Sequence, residues 1–160
     1  MHVKKLLYFS LIYPNITYCI ETYCNTFSTY LAPLIIACNK ILQGVPRRTA
    51  NKELYVKFNT LPADLLFKYH ILLFVYKCVN RAEIVPVVFH NSFAQNASIH
   101  SHNTRFSSDL HMYVSNDYYP PCSLKSIGIR LWNELNFDTK NSPTVTTFKS
   151  ACLLEFITYL

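Results

Sequence analysis

At 160 residues, 51% hydrophobic and 15% charged, the chain has the size and apolar content of one domain able to bury about 70% of its unfolded surface. Fifteen Lys and Arg against nine Asp and Glu give a formal charge of +6, which favours polyanionic partners or membrane surfaces; the basic residues come singly or in pairs, so no polybasic arm exists. Two glycines exclude a glycine-rich phosphate cradle, and six cysteines without a Cys-x-x-Cys pair argue against a zinc ribbon or a thioredoxin-like motif.

The chain opens with Met1-His2-Val3-Lys4-Lys5 and a short apolar core that imitates a signal peptide until Pro14 ends it. No small-x-small cleavage site follows, and no apolar run reaches the roughly 20 residues needed to span a bilayer. The expectation is an intracellular protein with no membrane span. Residues 6–23 are apolar almost all round, predicting a helix that Pro14 kinks or divides and that is buried on more than one side. Ser28 or Thr29 is the candidate cap of the next helix, with Pro33 in its first turn and Leu31, Leu34, Ile35, Cys38, Ile41 and Leu42 at helical spacing. Gly44 and Pro46 stop it. Arg47 and Arg48 follow, where cations suit the helix macrodipole and face solvent or a phosphate backbone.

A second strong helix is predicted over 62–80, with Thr60 as candidate cap and Leu65, Leu66, Tyr69, Leu72, Leu73 and Tyr76 on one broad face. Phe67, Phe74 and Val75 widen that face until the helix needs partners on two sides. Pro86 with Val87, Val88 and Phe89 reads as a turn or short helix leading to Phe93. Between 95 and 122 the periodicity fades, and Ser, Asn, His and Pro120-Pro121 predict a loop-rich connector with one or two short extended pieces. Gly128 then marks a left-handed turn or a close backbone approach where an extended run gives way to a helix carrying Leu131, Trp132 and Leu135, the lone tryptophan being a core anchor. Ser142 as cap, Pro143 at the first helical position, and Val145, Phe148, Cys152, Phe156 and Leu160 predict a final amphipathic helix. The fold class is therefore mainly α: an irregular bundle of four to five helices, organised as one domain with a helical section over residues 1–94, a connector over 95–122, and a closing section over 123–160. Its predicted core contains Leu34, Ile35, Leu65, Leu66, Tyr69, Leu72, Leu73 and Trp132.

Gly128-x-x-Leu131-Trp132-Asn133-x-Leu135, preceded by His102-Asn103-Thr104-Arg105 and followed by Phe148-Lys149, resembles the C-terminal thumb and post-thumb region of reverse transcriptases from jockey-like and related LINE-type, non-LTR retrotransposons. Tyr8-x-Ser10-Leu11-Ile12-Tyr13-Pro14, with Tyr18, resembles the helical segment that follows the polymerase core in that family. The resemblance covers most of the chain. It implies a truncated transposable-element protein, a C-terminal piece of an RNA-directed DNA polymerase without its palm, in which Tyr8, Pro14, His102, Asn103, Thr104, Gly128, Leu131, Trp132, Asn133 and Phe148 are structural motif positions.

Nucleotidyl transfer needs closely placed carboxylates to hold two metal ions, and the chain has no Asp-Asp pair; its nearest acids, Glu134 and Asp138, read as a solvated face. The isolated chain is thus expected to be no enzyme, with no cofactor, no metal and no small-molecule substrate. His100 and His102 alternate as on a strand and Cys122 is a conceivable third ligand, but two-residue spacing without a second clustered pair is weak for zinc, and a polar loop pair is the plainer reading. What remains is weak, sequence-independent binding of RNA or an RNA–DNA hybrid through Arg47, Arg48, Arg105 and Arg130. The alternative is a small secreted, disulfide-bonded and glycosylated binding or effector protein, for which the even cysteine count and the sequons at Asn15 and Asn96 speak.

Overall fold

The computed structural model describes residues 2–99, 106–112, 123–158 and 160, with backbone alone for 2 and 25–28. His100, His102, Asn103, Thr104, Arg105 and Cys122 lie outside the described residues. The protein is mainly helical: α1 His2–Leu7, a π turn Tyr8–Ile12, α2 Tyr13–Thr17, α3 Ile20–Gln43, α4 Asn51–Phe58, α5 Ala63–Asn80, α6 Asn96–Ile99, α7 Leu124–Glu134, α8 Phe137–Lys140 and α9 Val145–Thr158. Short 3-10 turns occupy Ala82–Ile84 and Val87–Phe89, the latter directly after Pro86. Among the described residues the extended structure in the connector is one isolated antiparallel bridge, Gln95 with Leu110. Two compact units divide the chain, the first taking Met1–Phe67 and Leu153–Leu160 and the second Lys68–Cys152.

In the first unit, Pro14 divides the opening helix. It lacks an N–H and its ring blocks the preceding turn, so the chain widens into the π turn, where Tyr13 N–H reaches back to Tyr8 carbonyl, and restarts as α2 with the proline in its first turn. Asn15 Nδ2 donates to the Leu11 carbonyl at 2.6 Å. α3 differs from expectation: it does not begin at Ser28 or Thr29 but at Ile20, and it runs 24 residues straight through Pro33. Ile20, Cys24, Ile35 and Asn39 are all buried along it, and tertiary burial of that stripe outweighs the proline's local cost of about 3 kcal/mol. Ile35, Tyr55 and Ala63 form the core cluster, with Ile16, Leu31, Ala32, Ile36 and Leu160 packed against it. Leu34, expected in the core, is 62% exposed, because the residue beside Ile35 points about 100° away around the helix.

α3 and α4 end in the same way. Gly44 (φ 64°) and Asn59 (φ 56°) adopt left-handed backbone, and Val45 N–H and Thr60 N–H return to the carbonyls of Lys40 and Tyr55, at 3.2 and 2.9 Å. Thr60 does not cap α5: its hydroxyl is buried without a hydrogen-bond partner, while Leu66 N–H bonds the Pro62 carbonyl.

The second unit centres on three rings. Tyr76 and Phe148 stack with centroids 4.2 Å apart, and Trp132 lies 6.0 Å from Phe148 and 6.4 Å from Tyr76. Tyr76 Oη donates to the Ser142 carbonyl at 2.7 Å, so the ring keeps its polar tip satisfied inside the core. Residues 71–78 of α5 are buried on most sides, as an all-apolar helix requires. α7 begins four residues before Gly128, capped by Ser123, whose Oγ accepts from Ser126 N–H. Gly128 is therefore mid-helix, and it is the close approach and not the left-handed turn: a Cβ there would sit 2.8 Å from Val75 Cγ2 and 3.5 Å from Ile71 Cγ2 and Phe93 Cε1. α9 is capped by Thr144 instead of Ser142, through a reciprocal pair in which Thr147 N–H meets Thr144 Oγ1 and Thr144 N–H meets Thr147 Oγ1, each at 3.1 Å.

Gly128→Ala is expected to destabilise the protein by about 1–3 kcal/mol, read as a lower urea midpoint at unchanged slope, since the added methyl overpacks against the β-branched Val75. Alkali gives a second expectation. Burial pushes Tyr8 and Tyr55 from 10.0 up to about 12, Asp64 adding to the effect at Tyr55, and pushes Cys78 from 9.0 up to about 11 against the opposing pull of Lys77. The folded state holds these protons more tightly than the unfolded chain, so the stability they carry is complete below about pH 9 and is lost as pH rises toward 12. Chemical denaturation at stepped alkaline pH checks this; a midpoint that does not fall between pH 9 and 12 contradicts it.

Candidate nucleic-acid interface

The C-terminal end of α3 gathers positive charge. Gly44 terminates the helix, and the turn that follows carries Arg47 and Arg48, both exposed. Lys40, in the last turn, reaches over it and donates from Nζ to the Arg47 carbonyl at 2.6 Å. Lys4 of α1 arrives from the other end of the sequence, its Nζ 3.5 Å from where a Gly44 Cβ would stand. Nearby, Gln43 Nε2 donates to the Leu54 carbonyl at 2.9 Å and ties the end of α3 to α4. Among the described residues none of these four cations joins an ion pair. The helix's own unpaired carbonyls favour cations here, which holds the charges in place without neutralising them.

A hollow of about 470 Å³ beside this end is lined by Pro33, Ile36, Ala37, Lys40, Ile41 and Arg47. It has two cations and an aliphatic floor, and no aromatic ring on which a base could stack. Phosphate contact is the chemistry such a rim offers, and phosphate contact carries no sequence information.

Arg130 lies exposed on α7, in the second unit, and Arg105 falls outside the described residues. Of the four expected arginines the structure thus brings together Arg47 and Arg48, and adds Lys4 and Lys40, which sequence reasoning missed. Lys40 was findable as the cation in the last turn before a helix-ending glycine. Lys4 had no signal, because its place depends on α1 lying alongside α3.

The motif positions have other work. Trp132 and Phe148 are buried at 4% and 0%, Leu131 is half-buried, and Gly128 makes room for Val75. Tyr8 is fully buried against Phe58, with centroids 6.0 Å apart; Asn39 lies close enough to oppose its raised pKa, yet no hydrogen bond of ordinary geometry reaches Tyr8 Oη or Asn39 Oδ1. Asn133 clamps a passing strand of backbone. Its Oδ1 accepts from Leu110 N–H and its Nδ2 donates to Leu110 carbonyl, both at 2.9 Å, so one side chain replaces the two bonds of a β-ladder partner. Lys140 secures the same corner, with Nζ 3.2 Å from Asp109 Oδ1 and 3.1 Å from the Asn133 carbonyl. The five described cysteines carry free thiols, three of them buried, and both sequon asparagines use their amide groups in hydrogen bonds. No described helix is long and apolar enough to cross a membrane, and no described cluster of three His, Cys, Asp or Glu is placed to share a metal.

Asn133→Leu should cost about 2–3 kcal/mol by leaving both polar groups of the buried Leu110 backbone unpaired, whereas Leu131→Ala, at a half-buried position, should cost less; paired urea titrations give the ranking. In comparison with known proteins, no family model, no curated protein and no solved structure matches the chain.

Proposed function

We propose that the chain is a C-terminal, thumb and post-thumb piece of a LINE-type reverse transcriptase, without polymerase activity of its own, that binds RNA or an RNA–DNA hybrid weakly and without sequence preference. The observation that carries the binding is the grouping of Lys4, Lys40, Arg47 and Arg48 at one helix end, with no carboxylate paired to them among the described residues. The ancestry rests on the Gly128, Trp132 and Asn133 motif and the Tyr8 to Pro14 segment. Dispersed acids leave no pair suited to two-metal catalysis, so binding is the activity assigned.

Four phosphate contacts release about four counterions, giving a slope near −3 to −4 in log K against log salt on duplex and dissociation constants of roughly 10⁻⁴ to 10⁻⁶ M at physiological salt. Replacing Arg47 and Arg48 together by alanine should reduce that slope by about two and leave stability almost unchanged, since the charges are exposed. Fluorescence anisotropy with a labelled RNA–DNA duplex of arbitrary sequence measures both. Absence of salt-sensitive binding by the wild-type chain sinks the proposal, and so does a double variant whose slope equals that of wild type.

A further inference from the structure

α3 carries a second apolar stripe in addition to the one that builds the core. Tyr30, Leu34, Ala37 and Ile41 recur at spacings of four, three and four, and all are exposed, Tyr30, Leu34 and Ile41 at 74, 62 and 77%. They fall within about 60° of one another and roughly 100–160° round the helix from the buried Ile35. Alternating fours and threes average 3.5, the period at which two helices keep a common seam in register. The surface spreads onto the neighbouring turns. Leu11, 61% exposed, lines the same hollow as Leu34, and between that point and the contact of Lys4 with Gly44 the chain exposes Leu6 and Leu7 at 61 and 42%. These side chains present on the order of 600 Å² of apolar surface, the upper end of the largest patch a typical monomer leaves to water and about three quarters of the roughly 800 Å² per partner of a standard interface.

We propose that this surface pairs with a second copy of the chain, the two α3 helices lying antiparallel along the Tyr30, Leu34, Ala37 and Ile41 seam. Charge selects the occupant. From residue 22 to residue 39 α3 bears no charged residue, so the seam desolvates no charge of its own when it meets an identical apolar seam, and Lys40 and Arg47 beside Ile41 repel a basic peptide. Charge and shape together select the direction. In the antiparallel arrangement Leu34 faces the partner's Ala37 and Tyr30 faces the partner's Ile41, so a large side chain meets a small one at the centre. A parallel pair would set Ala37 against the partner's Ala37 and leave a void. It would also bring two cationic helix ends together, whereas antiparallel pairing centred between residues 35 and 36 holds the two Gln43 ends about 22 Å apart along the axis, beyond the Debye length of about 10 Å.

The seam shares Ala37 and Ile41 with the hollow rimmed by Lys40 and Arg47, so pairing is measured on the chain without nucleic acid, where its failure leaves the binding reading untouched. Sedimentation velocity on the full chain over a concentration series should show a monomer–dimer equilibrium. Leu34→Glu, by burying an unpaired carboxylate in the seam, and Ile41→Ser, by removing apolar area from it, both at positions already in water, should each raise the dimer dissociation constant about tenfold or more, with an unchanged helical circular dichroism spectrum. Val88→Glu, 80% exposed in the second unit, should leave it as it was. A wild-type chain monomeric throughout the series overturns the proposal. Self-association that survives both seam variants, or that Val88→Glu abolishes equally, overturns it too.

Discussion

One constraint governs the first unit: from Tyr30 to Cys38 α3 is apolar on more than one side, and a helix has only one stripe to give its own core. Twenty-four residues long and uncharged from 22 to 39, it commits Ile20, Cys24, Ile35 and Asn39 inward. Everything else on it must face a neighbour or water. The burial of the inner stripe is what carries the helix through Pro33, whose missing N–H would otherwise end it. The same helix, by ending sharply at Gly44, fixes where Arg47 and Arg48 emerge and why Lys40 can fold back over them. Core, cationic rim and exposed seam are thus three sides of one element.

The second unit solves a different problem, that of holding irregular backbone without a sheet. The stack of Tyr76, Trp132 and Phe148 gathers α5, α7 and α9 within that unit through large rings that lose little conformational freedom on burial. Around it, polar side chains replace regular secondary structure. Asn133 answers both backbone groups of Leu110, and Tyr76 answers Ser142. Each of these bonds satisfies a buried group that would otherwise cost about as much as the bond is worth.

Much of the fold is legible in the sequence because it follows from local chemistry. The proline at 14 divides a helix, the glycine at 44 ends one, the stretch over 62–80 forms one, and the lone tryptophan is inside. What could not be read was any choice between equivalent neighbours. Leu34 and Ile35 are adjacent and equally apolar, and only packing decides that Ile35 goes in and Leu34 stays out. Ser142 and Thr144 are both competent caps, and the capping pair with Thr147 tips the balance to Thr144. Gly128 pointed equally to a turn or a close contact, and the methyl of Val75 settles it. The candidate site was half visible for the same reason: Arg47 and Arg48 are neighbours in sequence, while Lys4 joins them only through tertiary approach. Arg130 shares their residue type but belongs to the other unit.

The clamp on Leu110 also bears on the order in which the protein assembles. The segment 106–112 has no helix of its own and is held from two directions, by the backbone of Ala94, Asn96 and Ala97 just upstream and by Asn133 and Lys140, 23 and 31 residues further along the chain. Longer loops cost more chain entropy to close, so the upstream bonds form at lower entropic cost and the clamp on Leu110 follows only once the corner between α7 and α8 exists. During synthesis it leaves the ribosome after its upstream partners and well before the residues that clamp it. Until Asn133 follows, the N–H and carbonyl of Leu110 itself have only water to bond, and this corner of the second unit is completed late.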